Sequence, residues 1–218
     1  MLQLEGVCAE IGGARVLRYV SMTVPAGGRV ALIGRNGAGK TTTLRALMGL
    51  APLREGKVTI DGRDCGAVPA HRRCALGVGY APEERNLFGS FTVRDNMLLP
   101  AQVLGLSSRE CQQRLEAVFE LLPELRDLSS RRAAGLSGGQ GKMVALGRAL
   151  MVGTRAIILD EPLQGLAPAL ALRYVDALRR LRAALPEVAI LITESSPNLL
   201  KSLVERTFVI ERGEISAT

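Results

Sequence analysis

Between residues 34 and 42 the chain reads Gly34-Arg35-Asn36-Gly37-Ala38-Gly39-Lys40-Thr41-Thr42, the Gly-x4-Gly-Lys-Thr spacing with which a backbone cradles polyphosphate. Several negative charges must be met at once, and N–H groups turn inward to meet them only where no Cβ interferes, a freedom that Gly34, Gly37 and Gly39 supply. The helix opening at about Gly39 adds its positive end. Lys40 can then reach the β and γ phosphates, the Thr41 hydroxyl suits Mg2+, and Thr42 is placed for the α phosphate. Far along the chain, Ile157-Ile158-Leu159-Asp160-Glu161 sets two carboxylates at the end of an apolar run. Asp160 suits a Mg2+ shell; Glu161, one residue on and pointing elsewhere, suits orientation or deprotonation of a water. A third string, Leu136-Ser137-Gly138-Gly139-Gln140, precedes a helical stretch from Lys142 to Met151. Ser137, the amides of Gly138 and Gly139 and the helix N-terminus after them make an anion-binding surface with no phosphate of its own.

These groups need a scaffold that gathers strand ends. Arg29 to Gly34, Ala156 to Asp160, Ala189 to Thr193 and Thr207 to Glu211 are strongly apolar, as in strands covered on both faces, and predict a buried, mostly parallel sheet. Leu2 to Val24 and Gly56 to Asp61 alternate apolar with polar residues and predict a smaller antiparallel flank. From Ser107 the period becomes helical. Ser107 or Ser108 caps the segment, Cys111, Leu115, Val118, Phe119 and Leu122 form one stripe, and Pro123 ends it. Pro168 opens a further helix, with Leu172, Val175, Leu178 and Leu181 as its apolar face and Arg179, Arg180 and Arg182 as a solvated end matched to the dipole.

With 218 residues, 47% hydrophobic and 22% charged, the chain is sized for one domain with subdomains. Aromatic residues make up 3% with no Trp, which works against binding built on stacked bases. The single histidine, His71, excludes two-histidine zinc sites and reads as a surface-loop residue. A formal charge of +7 favours phosphate-rich ligands or an anionic membrane face, besides plain solubility. Cys8, Cys65, Cys74 and Cys111 show no close pairing, nothing before Met22 has the order of a secretory signal, and the apolar runs fall far short of the ~20 residues that span a bilayer. Reduced thiols, a cytoplasmic compartment and a peripheral membrane role are expected.

In their order and spacing, the loop at Gly34, the string Leu136 to Gln140, and Asp160-Glu161 resemble the ATP-binding subunits of ABC transporters over essentially the whole chain. The resemblance implies an α/β fold: a P-loop NTPase (RecA-like) core, an antiparallel β flank at about 1–30 and 53–62, and an inserted helical subdomain at about 90–150, with 1–218 forming a single ATP-binding domain. It implies ATP and Mg2+ as cofactors, Thr41 and Asp160 as metal ligands, and Glu161 as the catalytic acid-base group. Two subunits would face head to tail, so that Ser137, Gly138, Gly139 and Gln140 meet, in trans, the ATP on the other subunit's loop. The implied partners are that second ATP-binding subunit, identical or homologous, two transmembrane permease subunits and, indirectly, an external substrate-binding protein, with no nucleic acid. The implied location is the cytoplasmic face of the plasma membrane.

Tyr80-Ala-Pro-Glu-Glu-Arg-Asn-Leu-Phe88 lies where the family's Q-loop joins the nucleotide site to the membrane subunits, and Glu83 takes the usual Gln position among the catalytic residues. A Pro-Glu here is similar to the branched-chain amino-acid importers, as are the stretches His71-Arg-Arg, Phe88 to Met97 and Gly165 to Pro168, which urea-type relatives share. Around the last of these segments, which faces the opposite subunit in the family, Leu163 just before it and Ala167 within it depart from the usual residues.

Two departures bear on mechanism. Ile11 stands where the family's adenine-stacking aromatic falls, and losing a base stack costs on the order of 1–3 kcal/mol in nucleic-acid systems. Ile11→Tyr is therefore expected to tighten ATP binding and sharpen the preference for ATP over GTP, as read by nucleotide titration. Ser195 stands at the family's switch His, where the amino-acid branch often has Gln. Its shorter neutral hydroxyl is expected to leave hydrolysis slow at this subunit's own site, with Glu161 still competent.

The leading reading is thus an energy-coupling ATPase of an importer for branched-chain amino acids or related small polar solutes. A DNA-maintenance or ribosome-associated ATPase of the same fold is the alternative from another class. The coiled-coil inserts, duplicated cassettes or long basic linkers of such proteins do not occur in this sequence. Ile11, Leu163 and Ser195 keep a third reading open, a regulatory subunit that binds ATP, scarcely hydrolyses it and pairs with a competent partner.

Overall fold

The computed structural model describes residues 1–196 and 198–217. Strand β1 (Leu2–Ile11) turns back through Gly12 and Gly13 into β2 (Ala14–Val24). The apolar β3 (Arg29–Ile33) is buried at every position and feeds the glycine loop into α1 (Lys40–Leu47). Next come β4 (Leu53–Ile60), the two-residue β5 (Arg63–Asp64), a single helical turn α2 (Ala70–Arg73) and β6 (Val78–Ala81). Four helices follow, α3 (Val93–Val103), α4 (Ser108–Leu121), α5 (Glu124–Asp127) and α6 (Gly138–Leu150). The order continues with β7 (Ala156–Asp160), α7 (Pro168–Ala184), β8 (Ala189–Glu194), β9 (Arg206–Glu211) and β10 (Glu214–Ala217).

One sheet is antiparallel, in the order β2-β1-β4-β5; the other is ordered β10-β9-β3-β8-β7-β6 and is parallel except for β10 at its edge. Alternation along the parallel strands divides their side chains between two cores. Val30, Leu32, Ile158, Leu191 and Phe208 pack with the residues of α1 and the antiparallel sheet. Ala31, Ile33, Ile157, Leu159, Ile190 and Ile192 pack with those of α6, α7 and the helical block. The parallel sheet is therefore the middle layer, and the C-terminal ends of its strands form the rim where ligands bind in such folds.

Several elements differ from expectation. The antiparallel flank ends at Val24, as its alternation predicts, and not near residue 30 as the resemblance implies, because Arg29 already begins β3. Helix α6 starts at Gly138, four residues before Lys142, because Ser137 caps it: its hydroxyl accepts from the Gln140 N–H at 3.3 Å and the Gln140 side chain accepts from the Ser137 N–H at 3.0 Å. On α7 the buried face runs through Ala171, Tyr174, Val175, Leu178 and Leu181, while Leu172 is 55% exposed. Arg180 is not merely solvated; its Nε donates to the Leu121 carbonyl at 2.8 Å and ties α7 to the end of α4. Helix α4 matches its predicted stripe, with Ser107 and Glu110 as a capping box.

His71 is exposed, as expected of a surface residue, but its neighbour Arg73 is buried. The Arg73 guanidinium donates to the carbonyls of Ala46, Leu47, Cys65 and Val68, and so satisfies the orphan C=O groups at the end of α1. This buried cation anchors the helix that begins at Lys40. Cys8, Cys65 and Cys111 are buried, Cys74 is half-buried, and all four thiols are free. Among the described residues no helix is long and apolar enough to cross a membrane.

Candidate functional site

Strand register assembles the site. β7 pairs with β8 so that Asp160 lies opposite Thr193, and β6 pairs with β7 so that Ala81 lies opposite Leu159, which brings Pro82-Glu83 to the same rim. Alternation then points Asp160 and Thr193 to the α1 side of the sheet, the side of Ile158 and Leu191. There the Thr41 hydroxyl lies 3.2 Å from Asp160 Oδ1, and the Thr193 hydroxyl donates to the same oxygen at 2.7 Å. The Tyr80 hydroxyl reaches Asp160 Oδ2 at 3.3 Å. Burial raises the Asp160 pKa above the ordinary carboxylate value, and these three hydroxyls pull it back.

Glu161 continues the chain at a positive φ of 42°, a backbone state of order 1–3 kcal/mol above the ordinary ones for a residue with a Cβ. Its surroundings hold it there. The Glu161 N–H donates to Thr193 Oγ1 at 3.0 Å, and its carbonyl accepts from Lys142 Nζ at 2.6 Å. The turned backbone sends its carboxylate to Lys40, with Oε1 and Nζ 2.9 Å apart and both side chains buried. Lys40 also donates to the carbonyls of Gly34 at 2.6 Å and Arg35 at 3.1 Å, and approaches Ser195 Oγ at 3.3 Å. The Ser195 hydroxyl donates to Asn36 Oδ1 at 2.9 Å and lies 3.5 Å from Glu161 Oε2.

A cavity of about 520 Å³ opens over this cluster, lined by the loop residues Asn36, Gly37 and Gly39, by Lys40, Thr41 and Thr42, and by Val16, Glu83, Glu161 and Gln164. Gly37 and Gly39 have φ of 79° and 113°, the conformations that turn loop amides inward. Gly34 serves differently from expectation: a Cβ there would overlap the Ile210 carbonyl oxygen, so this glycine is needed for packing against β9. Arg35 is exposed and Ala38 buried, one on each side of the loop. The cavity fits a polyphosphate. The donor pair of Thr41 and Asp160 fits a hard cation that takes its other ligands from phosphate and water, since no cluster of three or more His, Cys, Asp or Glu able to hold a metal occurs among the described residues.

Glu83 is half-buried on this cavity, and its pKa is raised by burial and then by the nearby charges of Glu161 and Asp160. Ile11 is 45% exposed at the end of β1, paired with Ala14, and does not line the cavity; Val16 supplies its apolar wall. Ser137, Gly139 and Gln140 line a separate groove with Leu125, Leu166, Leu170 and Tyr174. The structure thus brings the phosphate loop, Asp160, Glu161, Glu83 and Ser195 together and leaves residues 137–140 and Ile11 apart from them.

Sequence reasoning missed Thr193, Tyr80 and Glu194, whose places depend on strand register, and Lys142, whose reach to the Glu161 carbonyl depends on how α6 packs; the one signal was polar residues ending an apolar strand. Glu194 is buried on the other face of β8, where its carboxylate accepts from the Leu163 N–H at 2.8 Å. Burial pushes its pKa up to about 6. A carboxyl whose pKa rises on folding holds its proton more firmly when folded, so the charge penalty is fully present above about 6 and fades as pH falls toward the unfolded value. Glu194→Gln keeps an acceptor for Leu163 without the charge. It is expected to be more stable than the parent by about 1–2 kcal/mol at pH 8, with the difference vanishing near pH 4, as read from urea unfolding.

Comparison with known proteins agrees with this geometry. Residues 17–164 match the family model described as ABC transporter. The lipopolysaccharide export system ATP-binding protein LptB of Acidithiobacillus ferridurans is 34% identical over 215 residues, covering 99% of this chain and 88% of that protein. The high-affinity branched-chain amino acid transport ATP-binding protein BraG of Pseudomonas aeruginosa is 32% identical over 215 residues, covering 99% and 91%. A solved ATP-binding cassette of an ABC transporter in its ADP conformation superposes with a TM-score of 0.83 at 27% identity, covering 100% of this chain and 89% of that one. The P-loop ATPase fold of the cassette, its motifs and these relatives lead to one conclusion: the chain belongs to the ABC transporter family, as an ATP-binding subunit with ATPase activity.

Proposed function

We propose that the chain energises a membrane importer for branched-chain amino acids or related small polar solutes, acting as one of two ATP-binding subunits at the cytoplasmic face of the plasma membrane. The observation that carries the paired-subunit part of this reading is that the phosphate cradle and the Ser137 cap line separate cavities within one chain. Gly37, Lys40, Thr41 and Glu161 line a cavity without help from residues 137–140, while Ser137 and Gly138 are exposed at a helix N-terminus whose first amides have no acceptor within the helix. Each feature is half of a site, and a head-to-tail pair, identical or homologous, completes both.

In this scheme the chain's own residues act in sequence. Incoming phosphates compete with Glu161 for the Lys40 ammonium, so the carboxylate is released as general base when Lys40 is taken. Thr41 and Asp160 would hold Mg2+, which would supply charge neutralisation at the phosphates. Glu83 orients groups from the opposite wall, and its loop, with the exposed Phe88 and Phe91 beyond it, passes the change to two permease subunits.

Of the two relatives' names, one says export and the other says only transport, at similar identity, so import is inferred from the Pro82-Glu83 loop. Purification from native membranes is expected to recover the chain with two permeases and a second ATP-binding subunit. Vesicles carrying that complex are expected to accumulate labelled leucine when ATP and the external substrate-binding protein are supplied, and to stop with Glu161→Gln. ATP-driven release of solute, or a complex indifferent to any binding protein, would overturn the importer reading. A regulatory role for this subunit remains the second reading, favoured by Ser195, whose proton is engaged by Asn36.

A further inference from the structure

We infer that Thr193 and Tyr80 are positioning residues for hydrolysis: their hydroxyls fix the Asp160 carboxylate, and Thr193 fixes the Glu161 backbone as well. The inference rests on the proposed assignment of Asp160 and Thr41 as the metal ligands and adds two residues that touch neither nucleotide nor metal. Asp160 is 1% exposed and has no ion pair among the described residues, because the nearby ammonium of Lys40 goes to Glu161. A buried carboxylate without a cation is costly unless hydrogen bonds replace its water. Three hydroxyls do so here, and they come from three elements: Thr41 at the start of α1, Thr193 at the end of β8 on one side of β7, and Tyr80 on β6 on the other side.

Thr193 stands out because its hydroxyl is used twice. Its proton goes to Asp160 Oδ1 at 2.7 Å, the shortest of the three contacts, and its oxygen accepts from the Glu161 N–H at 3.0 Å. One hydroxyl offers one donor and two acceptor sites, so both bonds form together. They join the proposed metal ligand to the proposed base through a single fully buried atom group, and the second bond supports the positive φ of Glu161. Tyr80 holds the opposite carboxylate oxygen. When Thr41 commits its oxygen elsewhere, Thr193 and Tyr80 still fix the plane of the carboxylate. Valine has nearly the shape of Thr193 and neither bond.

The test uses the full chain, with Mn2+ as a paramagnetic probe titrated in the presence and absence of a non-hydrolysable ATP analogue. Thr193→Val is expected to weaken analogue-dependent Mn2+ binding roughly tenfold or more, as loss of a hydrogen bond to a charged group does. Thr193→Ser is expected to restore it to within about twofold, and Tyr80→Phe to weaken it less than Thr193→Val because its contact is longer. Analogue affinity in EDTA is expected to be unchanged in all three variants, since the glycine loop is untouched. Unchanged Mn2+ affinity in Thr193→Val, or Thr193→Ser as weak as valine, overturns the proposal. Wild-type protein that binds no Mn2+ with the analogue overturns the metal assignment itself, and the proposal with it. Tyr80→Phe, at a half-buried position, keeps the test decisive if Thr193→Val folds poorly.

Discussion

Glu161→Gln is expected to slow single-turnover ATP hydrolysis in the assembled complex by about 10³-fold, within the 10² to 10⁴ that a positioned general base contributes. The same variant is expected to bind ATP at least as tightly as the parent. The Glu161 carboxylate pairs with Lys40 at 2.9 Å, both side chains buried, so it is a competitor that phosphate must displace. Glutamine removes the competing charge and leaves Lys40 its carbonyl partners, Gly34 and Arg35. Rapid-mixing hydrolysis assays paired with nucleotide titration separate the two effects. Turnover retained above about a tenth of the parent would place the base elsewhere, whereas a parallel loss of affinity and rate would make Glu161 a binding residue.

Ser195→His is expected to raise single-turnover hydrolysis by about 100-fold, the lower end of what one transition-state donor contributes. Ser195 lies at the right rim, 3.3 Å from Lys40 and 3.5 Å from Glu161, but donates its proton to Asn36. Its hydroxyl is short and already engaged. An imidazole projects further from the same exposed position at the end of β8 and brings a donor to the cavity. Ser195→Ala serves as the control and is expected to change the rate only a few-fold, because the existing hydroxyl already spends its proton on Asn36. A rate unmoved by histidine, or a hundredfold loss with alanine, would mean that Ser195 already performs the switch function.

What the sequence revealed and what it hid follow from how local each interaction is. The glycine loop, its Lys40 and Thr41, and the pair Asp160-Glu161 were legible because their chemistry is written in consecutive residues. Strands β3, β7 and β8 were legible because burial on both faces makes them apolar throughout or nearly so, whereas β9, expected to be covered on both faces, buries only Phe208 and Ile210 and exposes Arg206 and Glu211 at its ends. Strand β6 is four residues long with a glycine inside, and β10 is short, polar and antiparallel, so neither carries that pattern. Thr193 read as the tail of an apolar run; only the pairing of β8 with β7 reveals that it faces Asp160. Leu172 was misassigned because both it and Tyr174 fit a helical spacing, and the choice between them is made by what α7 packs against. Ser137 was legible as standing just ahead of a helix, although its capping box with Gln140 puts the helix start at Gly138, upstream of Lys142.

The bonds of α6 have a mechanical consequence. Arg148, near its C-terminal end, grips the carbonyls of Arg85 and Asn86, both at positive φ, through two bonds of 2.6 Å, and the Arg85 guanidinium extends back along the helix toward the Gly138 carbonyl at 3.4 Å. The loop after Glu83 is thereby riveted to the helix that Ser137 caps, eleven residues or roughly 16 Å away along its axis at 1.5 Å per residue. A displacement of that loop is therefore carried to the cap by a stiff lever arm, through the rivets and the rigid helix between them.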